Sequence, residues 1–264
     1  MKLFIGMPVY ITNEYHLDYT RQTIKSIKTS HDYKLVLIAT HCDPQYREEL
    51  EKLGDVVDNP KGNILASAWN SGIKIGQDWG ADYIMLPNND IVFHPDAIDN
   101  LIKFAEAHPT FPVVTSAEHI GLRSLKDKEA LDTWDEHPHF SCFLVNPTAL
   151  EELRKKEEGT TEPIPGRFDE GFIPAYFEDG DFHQRILRSK MVAAKTGSSW
   201  FYHYGSRTIK SDDDLNKRNG ATYERNRKYF TKKWGFDPHG VVVTNDDKIR
   251  LTYKQPFGGN NDKS

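Results

Sequence analysis

The chain has 264 residues, of which 38% are hydrophobic, 12% aromatic and 28% charged, a composition typical of one folded α/β domain and not of a disordered or fibrous protein. The formal net charge of -5 argues against broad binding to nucleic acids or anionic membranes. No apolar run approaches the ~18 residues of a transmembrane segment, and Pro8 comes too early for a secretory signal, so we expect a cytoplasmic protein.

Short β-branched runs alternate with helical patterns over the first 116 residues. The predicted strands are 3–7, 34–39, 55–57, 82–86 and 111–116. The predicted helices are 18–29, 44–53, 64–77 and 95–107. This β-α-β alternation predicts a mixed, mostly parallel sheet with helices on both faces, whose ligands bind beyond the carboxyl ends of the strands.

The pattern becomes irregular after residue 117, where a long polar loop is predicted. Long loops on a rigid scaffold often carry specificity, so Trp134 and His139 are candidates to stack on or hydrogen-bond a sugar acceptor, with a structural role as the alternative. Further predicted elements are strands at 140–146, 191–194 and 199–203, helices at 147–156, 178–189 and 215–234, a turn-rich stretch at 157–171 and a frayed tail at 256–264.

Four segments follow one another in a suggestive order. They are GMPVYITNEYHLDYTRQTIKSI, NPKGNILASAWNSGIKIG, ADYIMLPNNDIVFHPDAI, and FDEGFIPAYFEDGDFHQRI with the later FYHYGS. Together, over residues 3 to 208, they resemble family 2 glycosyltransferases of the GT-A fold, nearest to the rhamnosyltransferase-like and polysaccharide-assembly members. The resemblance implies a Rossmann-like GT-A domain over 1–210 and a helical C-terminal extension and tail over 211–264.

The same resemblance implies an activity. An enzyme of this kind moves a hexose or pentose, with inversion, from a nucleotide-sugar donor to a hydroxyl acceptor, using Mn²⁺ or Mg²⁺. A glycan, a lipid-linked glycan, a protein, a small molecule and modified DNA all fit as acceptor. Two other functions stay open: a nucleotide-sugar-binding protein without turnover, and a nucleotidyltransferase, although no Gly-rich phosphate loop lies near the N-terminus.

Asn88, Asn89 and Asp90 end a predicted buried strand, where polar side chains have no packing use. Hard oxygen ligands at a strand end suit a divalent cation that stabilises a departing diphosphate. The resemblance implies that Asp90 binds this metal. Asn88 stands at the position of the family's first acid and is expected to bond the donor ribose, and Asn89 is a further expected donor contact. The alternative is an Asx-type turn with Asp90 as a cap.

His203 lies in WFYHYG, where the resembling family has a second metal ligand, although the glycine here follows two residues on. A packed histidine is the alternative. Arg207 follows closely and is expected to close over the diphosphate. The other basic residues of helix 215–234 are interpreted as a solvated face with paired charges.

Acids cluster at the start of the predicted helix 178–189, in YFEDGDFHQR. The resemblance implies that Asp179 is the base that deprotonates the acceptor, and that Glu178 orients it or binds the acceptor. Asp181 and Arg185 are expected to brace the helix. Caps and helix-dipole partners are the alternative for the acids.

Donor contacts are expected near the ends of the first two strands. Pro8 is predicted to end the first strand and to let Tyr10 lie over a nucleobase. Thr40 and Asp43 stand near the place where the family has a base-reading aspartate. Two further candidates for ribose or phosphate lie at the start of helix 64–77; they are Asn63 and Asn70.

Overall fold

The computed structural model describes residues 1–119, 133–204 and 213–238, the side chains of 213–220 excepted. The strands are β1 (Lys2–Ile11), β2 (Asp32–Cys42), β3 (Asp55–Asp58), β4 (Tyr83–Pro87), β5 (Ile91–Phe93), β6 (Val113–His119), β7 (Trp134–Asp135), β8 (Cys142–Val145) and β9 (Ala193–His203). The helices are α1 (Glu14–Ser26), α2 (Pro44–Glu51), α3 (Leu65–Asp78), α4 (Ala97–Ala107), α5 (Pro147–Glu157), α6 (Glu178–Arg188) and α7 (Asp213–Trp234).

All nine strands join one sheet in the order β3-β2-β1-β4-β8-β6-β9-β5, with β7 also paired to β9. Six strands point the same way, namely β1, β2, β3, β4, β6 and β9, whereas β5, β7 and β8 run against them. The prediction of a mixed, mostly parallel sheet is therefore confirmed. Because β4, β6 and β9 run in the same direction, their carboxyl ends meet at one edge.

Side chains of β1 alternate between two apolar layers, as the period of a strand requires. Leu3 and Ile5 pack in the layer that includes α1 and α4, whereas Phe4 packs in the layer that includes α3, α5 and α6. On the second face, a Cβ added at Gly72 of α3 would lie 2.6 Å from Leu86 Cδ2. The missing side chain therefore lets α3 approach the sheet closely.

The edge of the sheet formed by β9 and β5 differs from the prediction in two ways. β5 was not predicted, because its three residues are too few to show a period. The two strands predicted at 191–194 and 199–203 form one strand, β9. The register jumps from Ser116 paired with Thr196 to Ala117 paired with Trp200, so residues 197–199 bulge out and interrupt the apolar pattern.

The first strand and the last helix also differ from expectation. Pro8 does not end the first strand, since β1 continues to Ile11. Pairing of β1 with β4 stops at Ile5, so Pro8 lies beyond it and its missing N–H costs no bond to that neighbour. The predicted boundary between residues 210 and 211 lies outside the described residues, as does the predicted tail. No helix in the described ranges is long and apolar enough to cross a membrane.

Candidate active site

The turn between β4 and β5 carries Asp90, and the ends of β6 and β9 meet it there. Nε2 of His203 lies 3.0 Å from Oδ1 of Asp90. Nδ1 of the same ring lies 2.9 Å from Oε1 of Glu118, and Ser141 Oγ donates to the other Glu118 oxygen at 3.2 Å. Asp90 is 5% exposed and His203 9%. The carboxyl edge of the sheet thus holds a buried imidazole between two carboxylates.

The two carboxylates change the protonation of this imidazole. Burial by itself lowers the pKa of His203, but hydrogen bonds to Asp90 and Glu118 act against it and raise the pKa to about 10. Burial likewise raises the pKa of Glu118, yet the bond from His203 and the charges around it hold that pKa below its usual value. With its pKa raised to about 10, the His203 ring is protonated at neutral pH and donates from both nitrogens, to Asp90 and to Glu118.

Asp90 and His203 have the chemistry of ligands for a divalent cation. A carboxylate oxygen and an imidazole nitrogen are both accepted by Mn²⁺, and a cation on Nε2 would replace the ring proton. Glu118 would then orient the ring through Nδ1, as carboxylates do around metal-bound histidines. Within the described ranges, no group of three or more His, Cys, Asp or Glu side chains is arranged to hold a metal by itself. A cation here would therefore need further ligands from a bound substrate or water.

Glu178, at the start of α6, is a buried acid in an unusual state. Its side chain is 3% exposed, and Oε2 has no hydrogen-bond partner in the part of the chain that the structure describes. Burial, followed by the charges of Asp179 and Asp181, raises the pKa of Glu178 well above its usual value. A raised pKa favours the neutral form of Glu178, which can donate a hydrogen bond. Two neighbouring carboxyl groups with different pKa values can take different roles, one as a hydrogen-bond donor and the other as a base.

The backbone that leads into these acids is strained. Tyr176 has a φ of 85° and Phe177 a φ of 71°, in the left-handed region that bulky residues seldom adopt. Asp179 Oδ1 then accepts a bond from the Gly180 N–H at 2.7 Å. Strain of this kind is concentrated at functional sites, where the surroundings hold the chain in place.

The charges of Glu118 and of Asp179 both act on His139. Partial burial and then the charge of Lys195 lower the pKa of His139, against the opposing effects of Glu118 and Asp179. The backbone N–H of His139 donates to Thr115 Oγ1 at 3.1 Å, which fixes the residue beside β6. Of the two predicted acceptor contacts in the long loop, His139 is the one that lies near the acids.

Asp181 and Arg185 brace α6, as expected. Arg185 is fully buried and forms two bonds to Glu157, at 2.8 and 2.6 Å. Asp181 lies 2.7 Å from Lys233 Nζ and accepts from Trp234 Nε1 at 2.9 Å. These contacts tie α6 to α5 and α7, so the start of α6 is held from two sides.

Aromatic rings collect at the ends of β1 and β2, where the nucleobase is expected. The Tyr10 ring centroid lies 5.2 Å from that of His41 and 6.1 Å from that of His16. His41 Nε2 in turn lies 2.9 Å from Asp43 Oδ1. The structure therefore brings Tyr10 and Asp43 together through a histidine between them.

Other predicted donor contacts are turned into the protein. The Thr40 hydroxyl donates to the Val9 carbonyl at 2.9 Å, within the sheet. Asn89 Nδ2 donates to Thr20 Oγ1 at 2.9 Å, which ties the turn to α1. Both side chains use polar groups to hold the site's framework.

Asn70 also acts as a brace. Its Nδ2 donates to the Phe168 carbonyl at 2.9 Å and to Glu170 Oε1 at 2.8 Å, and its Oδ1 accepts from the Phe168 N–H at 2.9 Å. Asn63, by contrast, is exposed. Asn88 is half-buried beside Asp90, and its N–H donates to the Ser141 carbonyl at 2.8 Å. Arg207 lies outside the described residues.

Trp134 lies away from these groups. It pairs with Thr196, well before His203 on β9, and its ring is 45% exposed. Its aromatic neighbours are Phe104, His108 and Phe111, at centroid distances of 6.2, 5.6 and 5.7 Å. The structure does not bring Trp134 to the predicted acceptor site, because β7 pairs with the first residues of β9 and not with its end at His203.

The sequence analysis did not identify three residues of the site. Glu118 was overlooked because the predicted strand 111–116 ended too early, whereas β6 continues to His119. His41 lies one residue before the end of β2 and His16 in the first turn of α1, and these positions near the ends of elements were their only local signal.

Comparisons with known proteins agree with this geometry. The sequence model described as "Glycosyl transferase family 2" matches residues 5–164. The search of curated proteins returned no match. Among the solved structures similar in fold is the crystal structure of GalNAc-T7 with UDP, GalNAc and Mn²⁺, with a TM-score of 0.59 at 12% identity over 77% of this chain and 44% of that one. The chain thus spans less than half the length of that relative, and the likeness is one of fold.

Proposed function

Because the chain belongs to glycosyl transferase family 2 and has the GT-A fold, we propose that it is a metal-dependent inverting glycosyltransferase acting from a nucleotide-sugar donor onto a hydroxyl acceptor. The observation that carries the proposal is the buried Asp90–His203–Glu118 group, which lies at the same sheet edge as the end of β4. The strained segment at the start of α6 carries the two acids of the proposed mechanism, Glu178 and Asp179. Hexosyl and pentosyl transfer both fit this arrangement.

In this proposal Asp90 and His203 would hold Mn²⁺ or Mg²⁺ for a donor diphosphate, and Glu118 fixes the imidazole through Nδ1. The bound cation supplies charge neutralisation for the leaving diphosphate. Tyr10, His41 and Asp43 receive the nucleobase at the ends of β1 and β2.

Asp179 acts as the base. The acceptor oxygen forms a bond to the anomeric carbon, the bond from that carbon to the diphosphate oxygen breaks, and the hydroxyl proton moves to an oxygen of Asp179. The negative charge leaves with the nucleoside diphosphate. Glu178, whose pKa is raised by burial, orients Asp179 or binds the acceptor hydroxyl, while His139 borders the acceptor.

The bound UDP in the fold relative makes UDP-sugars the first donors to test. Purified protein is incubated with each of several UDP-, GDP- and dTDP-sugars, with and without Mn²⁺, and release of the nucleoside diphosphate is measured. We expect slow Mn²⁺-dependent release with one donor class, and a raised midpoint of thermal unfolding with the same donor.

Two outcomes separate the alternatives. A raised midpoint without release from any donor would identify a nucleotide-sugar-binding protein without turnover, for which Asn88 in place of an acid is the motivating observation. Release of pyrophosphate from a nucleoside triphosphate and a sugar phosphate would identify a nucleotidyltransferase. Either result overturns the proposal of sugar transfer.

A further inference from the structure

The segment that presents Glu178 and Asp179 has an unfavourable backbone conformation. Tyr176 and Phe177 are consecutive, both bulky, and both in the left-handed region, with φ of 85° and 71°. Single residues visit this region at a cost in free energy, and a pair of aromatic residues does so only when the surroundings impose it. Something outside the segment must therefore fix it.

One side chain of α7 bonds this segment at several points. Asn226 is fully buried, and its Nδ2 donates to the Ala175 carbonyl at 2.7 Å and to the Tyr176 carbonyl at 3.3 Å. Its Oδ1 accepts from the Ile173 N–H at 3.4 Å. A single amide thus bonds backbone groups of three residues directly before the acids, using its donor and acceptor groups together.

The same face of α7 packs around this contact. Phe230, one helical turn after Asn226, forms an apolar cluster with Phe172 and Phe177. Two turns after Asn226, Lys233 Nζ lies 2.9 Å from Asp169 and 2.7 Å from Asp181. Side chains at this spacing lie on one face of a helix, so α7 contacts the chain before, along and after the strained turn.

The opposite side of the segment is held by α3. The Leu65 N–H at the start of α3 donates to the Pro174 carbonyl at 2.8 Å. The turn before α6 is therefore bonded on one side to the helix that begins near the donor candidates and on the other to Asn226. Loss of either contact would free backbone groups of the turn, and Asn226 is the side chain that bonds two of its carbonyls, those of Ala175 and Tyr176.

We propose that Asn226 is a positioning residue that holds the 173–177 turn, so that Glu178 and Asp179 face the acceptor in the reactive geometry. This inference rests on the proposed function, in which Asp179 is the base. It also assigns a role to α7, whose basic residues were interpreted from the sequence as a solvated face with paired charges. The side-chain hydrogen bonds of Asn226 go to backbone groups of the turn, so Asn226 acts through the acids that follow.

The first test is kinetic. Asn226→Ala is compared with wild type for Mn²⁺-dependent hydrolysis of UDP-N-acetylgalactosamine, or of whichever tested nucleotide sugar the wild type hydrolyses fastest. We expect kcat to fall about 10- to 100-fold, the range that a small displacement of a reacting group produces, while KM for the donor stays within about twofold. A wild-type kcat in a folded Asn226→Ala protein overturns the inference.

Two controls separate positioning from lost stability. Leu101→Ala removes a buried side chain of α4 in the other apolar layer, and is expected to lower the midpoint of thermal unfolding at least as much while leaving kcat unchanged. Lys228→Ala changes an exposed residue of α7 and should alter neither kcat nor the midpoint of thermal unfolding. Equal losses of kcat in Leu101→Ala and Asn226→Ala would show that Asn226 matters only for stability.

A double-mutant cycle tests whether Asn226 acts through Asp179. In an Asp179→Asn background, the further change Asn226→Ala should lower kcat less than about twofold, because the group that it positions has already lost its function. A full additional 10-fold loss would mean that Asn226 acts by another route and would overturn the proposal.

Hydrogen exchange decides the inference independently of sugar transfer. In Asn226→Ala, amides of residues 172–178 should exchange at least about 10-fold faster, with the sheet unchanged, since their bonds open locally. If the wild type hydrolyses no nucleotide sugar, the proposed function fails, and this measurement still decides whether Asn226 holds the turn. Unchanged exchange there means that it does not.

Discussion

His203 Nε2 lies 3.0 Å from Oδ1 of Asp90, although the two residues are 113 positions apart in the chain. The antiparallel pairing of β5 with β9 produces this contact, since it places Ile91 opposite His203. Asp90, one residue earlier, then accepts the Tyr204 N–H through its carbonyl at 3.0 Å. A carboxylate and an imidazole are thereby fixed at one sheet edge without any local sequence motif that joins them.

Asp90→Ala is expected to abolish Mn²⁺-dependent hydrolysis of the donor while leaving the protein folded. The change removes the carboxylate that would hold the cation, whereas His203 keeps its bond to Glu118. Hydrolysis is measured against Mn²⁺ concentration, and folding by circular dichroism. His203→Ala should weaken the metal dependence less severely. Unchanged hydrolysis in Asp90→Ala would remove Asp90 from the metal site.

Glu118→Gln is expected to weaken the apparent affinity for Mn²⁺ about 10- to 100-fold, the usual effect of losing a partner that orients a metal-bound histidine. The substitution keeps the size of the side chain but removes the charge beside Nδ1 of His203. Mn²⁺ titrations of donor hydrolysis measure the effect. Glu106→Gln, at an exposed position of α4, is the control, and an equal response of the two variants would contradict a specific role.

Asp179→Asn is expected to lower sugar transfer by ~10² to 10⁴, the contribution typical of general-base catalysis, with donor and metal affinity close to wild type. Asparagine keeps the shape and hydrogen-bonding capacity but cannot take the proton. If these acids only cap α6, the change should be nearly silent in both rate and stability, because asparagine is itself a good N-cap. Transfer and donor affinity are measured side by side.

The nucleobase is expected near Tyr10, Thr40 and Asp43. Tyr10→Ala should raise the KM for the donor about 10-fold, since stacking of a base on an aromatic ring contributes about 1–3 kcal/mol. Crystals soaked with the preferred nucleotide should show the base beside Tyr10 and His41. Density for the base against α7 would refute this placement.

His183, on α6, should make the protein less stable in acid. Burial, with a smaller effect of His137, lowers the pKa of His183 to about 4. The unfolded chain binds a proton at this residue once the pH falls below ~6.5, whereas the folded chain does not until about 4. Stability is therefore full above pH ~6.5 and falls by up to about 3 kcal/mol as the pH drops towards 4.

Denaturant unfolding of His183→Gln at several pH values checks this expectation. The variant lacks the titrating imidazole, so its free energy of unfolding should fall less between pH 7 and pH 4.5 than that of the wild type. The same slope in both proteins would show that other groups set the acid sensitivity.

The order of strands and helices along the first 116 residues, the three-residue β5 excepted, could be predicted from the sequence, because apolar period and breaker residues are local properties. The same holds for Asp90 at a strand end and for Glu178 and Asp179 at the start of α6. In each case the backbone conformation within a few residues decides the position. The sequence by itself therefore determined which side chains lie at the ends of helices and strands.

The tertiary structure decided which of these side chains meet. Asn89 looked like a donor contact, yet its amide bonds Thr20 on α1; Trp134 looked like an acceptor contact, yet β7 pairs it far from His203. Glu118 joined the site only through the pairing of β6 with β9, and Asn226 became buried only because α7 packs on the turn before α6. Such contacts depend on strand register and on the packing of distant elements, and local periodicity carries no information about either.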